Sequence, residues 1–188
     1  MAGGRPLRIP IVLGTVRKGR ASANVARFLL EQVRTRGITT ELIDISSLPL
    51  PTDDAGEAIK DKVFSDTINV SDGLVIVTPE YNHSFPGMLK HVLDTNLQEY
   101  VHKAVGIAGV SAGPFGGTRV IENMLSPMRE LGLVTIFFDV NFGNVLKLFD
   151  DSGYLLDSSF VKRTDKFLNE LVWMATTLRY GRENISVR

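Results

Sequence analysis

The sequence predicts a doubly wound α/β fold, with one parallel sheet of five strands and helices on both faces. Short apolar runs alternate with amphipathic segments along the whole chain, which is the pattern of parallel strands joined by crossover helices. The run at 73–78 is continuously apolar, as expected for a strand covered on both faces. No linker divides the 188 residues, so a single domain is predicted over 1–188, with residues 1–7 as a flexible tail.

Five strands and five helices follow from this alternation. In the first helix Val25, Leu29 and Val33 recur at helical spacing, and Gly37 is placed to end it. Pro86 opens the third helix, because the first turn needs no N–H donor at that position. The predicted strands are 8–13, 40–45, 73–78, 104–110 and 133–140, and the predicted helices are 22–36, 57–70, 86–97, 117–131 and 158–180.

Two prolines fit these elements poorly. Pro10 lies inside the first predicted strand, where a central position needs its N–H, so we interpret it as a residue that precedes the strand. Pro127 lies inside the fourth predicted helix and is expected to kink it.

The composition excludes several classes of protein. Because the chain has no Cys, it is not a disulfide scaffold or a thiolate metal protein, and any redox chemistry depends on a group that it binds. Lys and Arg balance Asp and Glu at 21 each, which argues against a nucleic-acid partner and against an acidic electron carrier. The three His have no evident carboxylate partners, so no metal site is expected.

Targeting segments are not predicted either. No stretch reaches the roughly 20 apolar residues that span a bilayer, so no membrane partner is expected. Arg5 and Arg8 precede an apolar run that is too short for a signal peptide, so we expect a cytoplasmic location.

The loops that follow the strands are the candidate sites, because open parallel sheets bind ligands beyond the carboxyl ends of their strands. The first loop, residues 14–24, leads into a helix, whose free N–H groups and dipole favour a phosphate. The alternative is an ordinary capped helix with Ser22 as its N-cap. Ala21 stands where a Walker loop has its metal-binding hydroxyl, which disfavours a magnesium-dependent phosphotransferase. The polar side chains of the loop are those of Thr15, Arg17, Lys18, Arg20, Ser22 and Asn24.

The second loop, residues 78–87, is stiffened by Pro79 and Pro86 and follows the strand that is buried on both faces. The sheet cannot use all of its backbone N–H groups, and a stiff loop with free amides suits the edge of a planar heterocycle. The alternative is a rigid turn in which Asn82 and Ser84 bind their own backbone.

The third loop, residues 111–119, is rich in glycine, which lets a backbone approach a flat ligand closely. The alternative is a flexible connection. Together the three loops suit a mononucleotide, with its phosphate at the first loop and its ring at the other two, and FMN fits this arrangement.

These residues resemble the NADPH-dependent FMN reductase family, the flavodoxin-like group that includes quinone, azo and chromate reductases. The segment 79–90 is very similar to the family's P-E-Y-N-x-S-x-P-G-x-L-K run, although His91 follows where Asn is common. Gly14, Thr15 and Arg17 match the start of the family's G-[ST]-x-R-x-x-S-x-N segment, whereas Ser22 comes later, after an insertion. The third loop is similar to the family's S-x-G-x-x-G-G segment.

The resemblance implies a flavodoxin-like sheet with strand order 2-1-3-4-5 and two cofactors, a non-covalent FMN and NADPH. Lys18 and Arg20 match no fixed motif position, so they are left to either the FMN phosphate or the 2′-phosphate of NADPH. The implied phosphate-binding residues are Thr15, Arg17, Ser22 and Asn24. The implied ring-binding residues are Pro79, Glu80, Tyr81, Asn82 and Ser84 of the second loop, with Ser111, Ala112, Gly113, Gly116 and Gly117 of the third.

The resemblance further implies an oxidoreductase that passes hydride from NADPH through FMN to a small acceptor in ping-pong turnover. No side chain is assigned a catalytic role, because the cofactor carries the hydride chemistry. The alternative is a flavin-binding electron-transfer or redox-sensing module without NADPH turnover. The acceptor (quinone, flavin, azo compound or metal oxyanion), the preference for NADPH over NADH and the role of residues 142–157 stay open.

A homodimer or a dimer of dimers is also implied by the resemblance. The helix beside the second loop carries apolar side chains that suit either such an interface or packing on the sheet, namely Met88, Leu89, Val92 and Leu93.

Overall fold

The computed structural model of the chain describes residues 5–186 and confirms the predicted sheet. The strands are all parallel and follow the order β2-β1-β3-β4-β5, with a sixth strand, β6, paired to β4. The strands are β1 (Ile11–Leu13), β2 (Leu42–Asp44), β3 (Gly73–Pro79), β4 (Lys103–Val110), β5 (Leu133–Thr135) and β6 (Val140–Phe142). The α-helices are α1 (Ser22–Arg34), α2 (Lys62–Val70), α3 (Gly87–Leu93), α4 (Thr118–Glu130) and α5 (Ser159–Asn184).

The sixth strand corrects the prediction of one last strand at 133–140. The pairing offset along β4 rises from 30 residues, at Lys103 and Leu133, to 32 residues, at Ala108 and Val140. Two extra residues are therefore inserted into this outer strand, as in a β-bulge. Phe137 is 81% exposed at the interruption, so the apolar run that predicted one strand includes a side chain that faces outwards.

Several helix boundaries also differ from the predicted ones. The helix predicted to begin at residue 57 begins at Lys62, because the Asp61 side chain accepts a hydrogen bond from the Phe64 N–H at 2.7 Å and caps it there. The third helix ends at Leu93 instead of residue 97. Pro127 lies within α4, which runs through it from Thr118 to Glu130.

Two hydrophobic clusters cover the two faces of the sheet. Residues of α1 and α5 contribute to one cluster, and residues of α2, α3 and α4 contribute to the other. A Cβ on Gly106 of β4 would collide with the Phe167 ring of α5, so glycine at this position lets the long helix pack directly on the sheet. Leu89, Val92 and Leu93 of α3 are fully buried in the second cluster, so they pack on the sheet and are not free for an interface.

The start of the chain is attached to the sheet. Residues 1–4 of the predicted tail lie outside the described residues, whereas Arg5 pairs with Asp72 and the Leu7 carbonyl accepts the Thr39 N–H. Pro10 precedes β1, as interpreted from the sequence, and its carbonyl accepts the Val75 N–H at 3.0 Å, so the residue joins the sheet through its acceptor. Between residues 5 and 186 no helix is long and apolar enough to cross a membrane.

Candidate functional site

A cleft of about 300 Å³ lies beyond the carboxyl ends of β1, β3 and β4. All three loops predicted from the sequence contribute to its walls. Its lining residues are Arg17, Gly19, Arg20, Ala21, Ser22, Pro79, Glu80, Tyr81, Val110, Ser111, Ala112, Val145 and Leu146. The cleft therefore occupies the edge of the sheet where a doubly wound fold binds its ligands.

Ser22 is the most informative residue of the first loop. It is the first residue of α1, so the expected role as N-cap falls to Ala21, which makes no side-chain cap. Ser22 is 2% exposed and lines the cleft, and its buried hydroxyl has no hydrogen-bond partner among residues 5–186. A buried hydroxyl without a partner costs folding free energy, and a ligand oxygen in the cleft would satisfy it.

The other phosphate candidates of the first loop are placed differently. Arg17 is exposed and lines the cleft. Thr15 is buried, and its hydroxyl is 3.1 Å from the Tyr81 hydroxyl, so it joins the first loop to the second without lining the cleft. Asn24 lies in the first turn of α1, where its side-chain oxygen accepts a hydrogen bond from Arg27 at 3.1 Å, and it does not line the cleft.

Arg20 lies on the cleft wall and is tied to the neighbouring strand. Its guanidinium forms an ion pair with Asp44 of β2 and donates to the Ser46 hydroxyl at 3.3 Å. The Nε atom is buried and lacks an acceptor within the described chain. The inserted segment of the first loop thus adds a cation that no motif position predicts.

The second loop forms a tight hairpin. Tyr81 and Ser84 exchange backbone hydrogen bonds at 2.8 and 2.9 Å, and Asn82 and His83 between them have left-handed φ angles of 49° and 67°. These two positive angles are typical of a type I′ turn, which joins strands closely. Asn82 and Ser84 do not line the cleft, so the lining part of this loop is 79–81.

Glu80 brings a carboxylate into the cleft wall. One of its oxygens accepts a hydrogen bond from Nε of Arg119, on α4, at 2.7 Å. The other oxygen is buried with no partner among residues 5–186. The Glu80 backbone N–H donates to Val110, so this amide belongs to the protein's own hydrogen bonds.

The third loop contributes Ser111 and Ala112 to the lining, whereas Gly113, Gly116 and Gly117 lie outside it. Gly116 and Gly117 are buried with φ angles of 60° and 78°, and a Cβ on Gly117 would lie 2.7 Å from the Val110 nitrogen. These glycines let the loop fold back against β4. The atoms that Gly116 and Gly117 approach closely belong mainly to the protein's own backbone.

Arg20 was a candidate for either phosphate, and the structure places it in the cleft wall. The lining residues that the sequence did not single out are Gly19 and Ala21 of the first loop, Val110 at the end of β4, and Val145 and Leu146. Val145 and Leu146 come from a 3₁₀ turn after β6, in the stretch 142–157 that had no assigned role. Nothing in their local sequence distinguishes them from core residues. Leu146 is 72% exposed, so it forms an apolar rim of the cleft.

The fold and this cleft define a class of protein. An open parallel sheet carries at its carboxyl edge a helix N-terminus with a buried, unpartnered hydroxyl and two arginines, next to two loop walls. These donors suit a phosphate, and the adjoining walls leave room for a planar group. The residues therefore fit FMN, and the class is that of the FMN-binding α/β flavoproteins.

Comparison with known proteins gives the family. A family model for NADPH-dependent FMN reductase matches residues 7–146, and the chain belongs to this family. A quinone reductase of Pseudomonas putida is 31% identical over 160 residues, which cover 80% of this chain and 86% of that protein. An FMN-dependent NADPH-azoreductase of Staphylococcus aureus is 29% identical over 179 residues, which cover 86% of this chain and 92% of that protein. The protein is accordingly an oxidoreductase that uses FMN and NADPH.

Solved structures agree on the fold. A flavoenzyme NAD(P)H:(acceptor) oxidoreductase from Paracoccus denitrificans has a TM-score of 0.76 at 23% identity, covering 91% of this chain and 98% of that one. A short-chain flavodoxin associated with a bacterial microcompartment has a TM-score of 0.60 at 19% identity, covering 90% and 99% of the two chains. These similarities support the flavodoxin-like fold that the family resemblance implied.

Proposed function

We propose that this protein takes hydride from NADPH and reduces a quinone or an azo compound in ping-pong turnover, with FMN bound in the cleft. The observation that carries the proposal is the buried Ser22 hydroxyl, which lines the cleft and has no partner within the described chain. The acceptor class is supported by the relatives, which are a quinone reductase and an azoreductase.

The first loop would hold the phosphate of FMN. Ser22 donates from its hydroxyl, the N-terminus of α1 presents its free amides, and Arg17 adds a positive charge at the exposed side of the cleft. Thr15 positions this loop through its contact with the Tyr81 hydroxyl, 3.1 Å away. Asn24 has no contact that directs it to the cleft, so we leave it out of the phosphate site.

The second and third loops would hold the ring. Pro79 and Tyr81 form one wall, Ser111 and Ala112 form another, and the hairpin at 81–84 fixes the first of them. When bound, FMN supplies the redox chemistry, accepting hydride from NADPH and passing electrons to the acceptor. The protein positions the two substrates in turn and provides no acid or base of its own.

Access to the ring is limited by Val145 and Leu146. Because Leu146 is largely exposed, this rim presents an apolar surface to an incoming substrate. An apolar rim beside an open cleft suits flat, aromatic acceptors such as quinones and azo compounds.

We further propose that the protein is cytoplasmic, consists of a single domain and forms a homodimer. The dimer has no support from α3, because Leu89, Val92 and Leu93 are buried within the chain. Sedimentation of the purified protein would measure its mass directly.

The test is to purify the protein, record its visible spectrum and follow NADPH oxidation. We expect flavin absorbance, retained or restored by added FMN, and steady-state turnover with a quinone and an azo dye. Initial rates at several fixed acceptor concentrations would give parallel double-reciprocal lines for ping-pong turnover. Absence of a spectral change on adding FMN would overturn the proposal, and FMN binding without NADPH oxidation would leave an electron-transfer module instead.

A further inference from the structure

Arg20 belongs to the insertion that separates Arg17 from Ser22, and its guanidinium is only partly paired within the described chain. A guanidinium has five N–H donors on three nitrogens. Nη2 contacts Asp44 and the Ser46 hydroxyl, and Nη1 donates to the Arg17 carbonyl at 3.4 Å. Two donors remain, one on Nη1 and one on Nε, and of these three nitrogens only Nε is buried with no acceptor at all between residues 5 and 186.

A second, independent observation lies in the same cleft. The Ser22 hydroxyl is also buried without a partner in the described residues, and it stands at the N-terminus of the 13-residue helix α1. The two residues that carry these unpaired buried donors therefore line one pocket beside the positive end of a helix dipole. An anion with several acceptor oxygens would satisfy both of them at once.

We propose that Arg20 donates through Nε to the phosphate of FMN, and that Asp44 is the positioning residue that holds its guanidinium. This inference rests on the proposed function, because it assumes that FMN occupies the cleft. Asp44 and Ser46 occupy Nη2, and the Arg17 carbonyl occupies one donor of Nη1, so the guanidinium is held in place while its buried Nε donor stays unpaired. The inserted segment thus adds a phosphate contact that the family's motif positions do not contain.

The burial of Arg20 also indicates which phosphate it binds, that of FMN or the 2′-phosphate of NADPH. The Arg20 side chain is only 17% exposed, and its Nε is buried in the wall. A second substrate that arrives after the flavin would meet exposed cations such as Lys18, which does not line the cleft. Arg20 is therefore assigned to the resident cofactor.

The experiment measures the dissociation constants of FMN and of riboflavin for the apoprotein by quenching of flavin fluorescence. Arg20→Ala is expected to weaken FMN binding about 10- to 100-fold and to change riboflavin binding less than threefold, because riboflavin lacks the phosphate. Arg20→Lys keeps the charge but has no Nε, so it is expected to weaken FMN binding by about tenfold. Lys18→Ala removes the same charge from an exposed position and serves as the matched control, with less than a threefold effect.

A second variant, Asp44→Asn, tests whether Arg20 binds the FMN phosphate or only holds the first loop in place. The amide still accepts a hydrogen bond from the guanidinium, and the loss of a negative charge near the phosphate favours the anion. FMN binding to this variant is therefore expected to stay within threefold of the wild type or to become tighter. A loss as large as that of Arg20→Ala, seen equally with riboflavin, would show that Arg20 and Asp44 only hold the loop, and would overturn the proposal.

Two further results would also overturn it. Equal weakening of FMN and riboflavin by Arg20→Ala would indicate a structural role, and an unchanged FMN affinity with a raised KM for NADPH would assign Arg20 to the nucleotide. If the wild-type apoprotein fails to bind FMN, the proposed function itself fails. If the wild type binds FMN and Arg20→Ala binds it equally well, only the present inference fails.

Discussion

Arginine and aspartate form ion pairs at both edges of the sheet, but the groups are fully paired at one edge and only partly paired at the other. At the amino edge, below the cleft, Asp72 is fully buried and its carboxylate is saturated by cations. The arginines that contact it are Arg5 at 2.8 Å, Arg182 at 3.2 Å and Arg179 at 3.8 Å. At the carboxyl edge, Arg20 meets a partly exposed Asp44 and keeps one buried donor unused.

The difference shows how a charged cluster for stability can be told from one for binding. Around Asp72 the carboxylate also accepts the Arg8 backbone N–H at 3.0 Å, so it ties the start of the chain, the sheet and α5 together. In the cleft, unpaired donors line an open pocket. A substitution at the amino edge is therefore expected to change stability, and one in the cleft to change affinity.

The largest effect is expected for Asp72→Asn. Removing this buried charge leaves three arginines without the carboxylate that they share, so the free energy of unfolding is expected to fall by about 3–5 kcal/mol. Urea unfolding of the apoprotein measures it. The control is Asp165→Asn, which breaks the exposed pair with Arg36 and is expected to cost less than about 1 kcal/mol. Equal losses for the two variants would erase the contrast between the ends of the sheet.

A smaller effect, on affinity, is expected for Ser22→Ala. The buried hydroxyl has no partner in the described chain, so its removal is expected to leave the stability of the apoprotein unchanged or slightly raised. FMN binding is expected to weaken about tenfold, or about 1.4 kcal/mol, because a hydrogen bond to a charged oxygen is lost. Urea unfolding and fluorescence titration measure the two quantities. A destabilised apoprotein with normal FMN affinity would contradict the assignment of this hydroxyl to the ligand.

The smallest effect concerns the pH dependence of stability at the amino edge. Burial of Lys103, with repulsion from Arg182, lowers the pKa of the lysine to about 8. Between this value and the unfolded pKa near 10.4 the unfolded chain binds more protons, so stability from this group rises with pH. The expected gain is about 1 kcal/mol from pH 8 to pH 9. Lys103→Met is expected to flatten this slope in urea unfolding, and an unchanged slope would assign it to another group.

The sequence predicted the sheet because buried parallel strands are continuously apolar. The predicted strands 73–78 and 104–110 each lie within one residue of the observed strands Gly73–Pro79 and Lys103–Val110. The last strand was predicted wrongly, because the apolar run at 133–140 does not reveal that Phe137 faces outwards. The start of α2 was missed because the capping by Asp61 depends on a single side-chain bond.

Only some of the residues that line the site could likewise be predicted from the sequence. Arg17, Ser22, 79–81 and 111–112 lie at the ends of β3 and β4 or between the end of β1 and the start of α1, so the rule that ligands bind beyond strand ends finds them. Val145 and Leu146 reach the cleft from a turn after the outer strand, and no local pattern indicates this. Gly116 and Gly117 were interpreted as ligand-facing, whereas their lack of a side chain serves the packing of the loop on β4.

What the sequence alone determined is the doubly wound sheet and the loops that bear the site, since both depend on local residue types and their spacing, whereas the order of the strands and the two cofactors came from the resemblance to the family. Only the tertiary structure decided which polar groups are already satisfied. Asp44 lies 24 residues from Arg20, and their pairing holds a guanidinium whose buried Nε donor stays unpaired. The physical reason is that a hydrogen bond requires two groups to meet in space, and the folding of β2 beside β1 brings these two together.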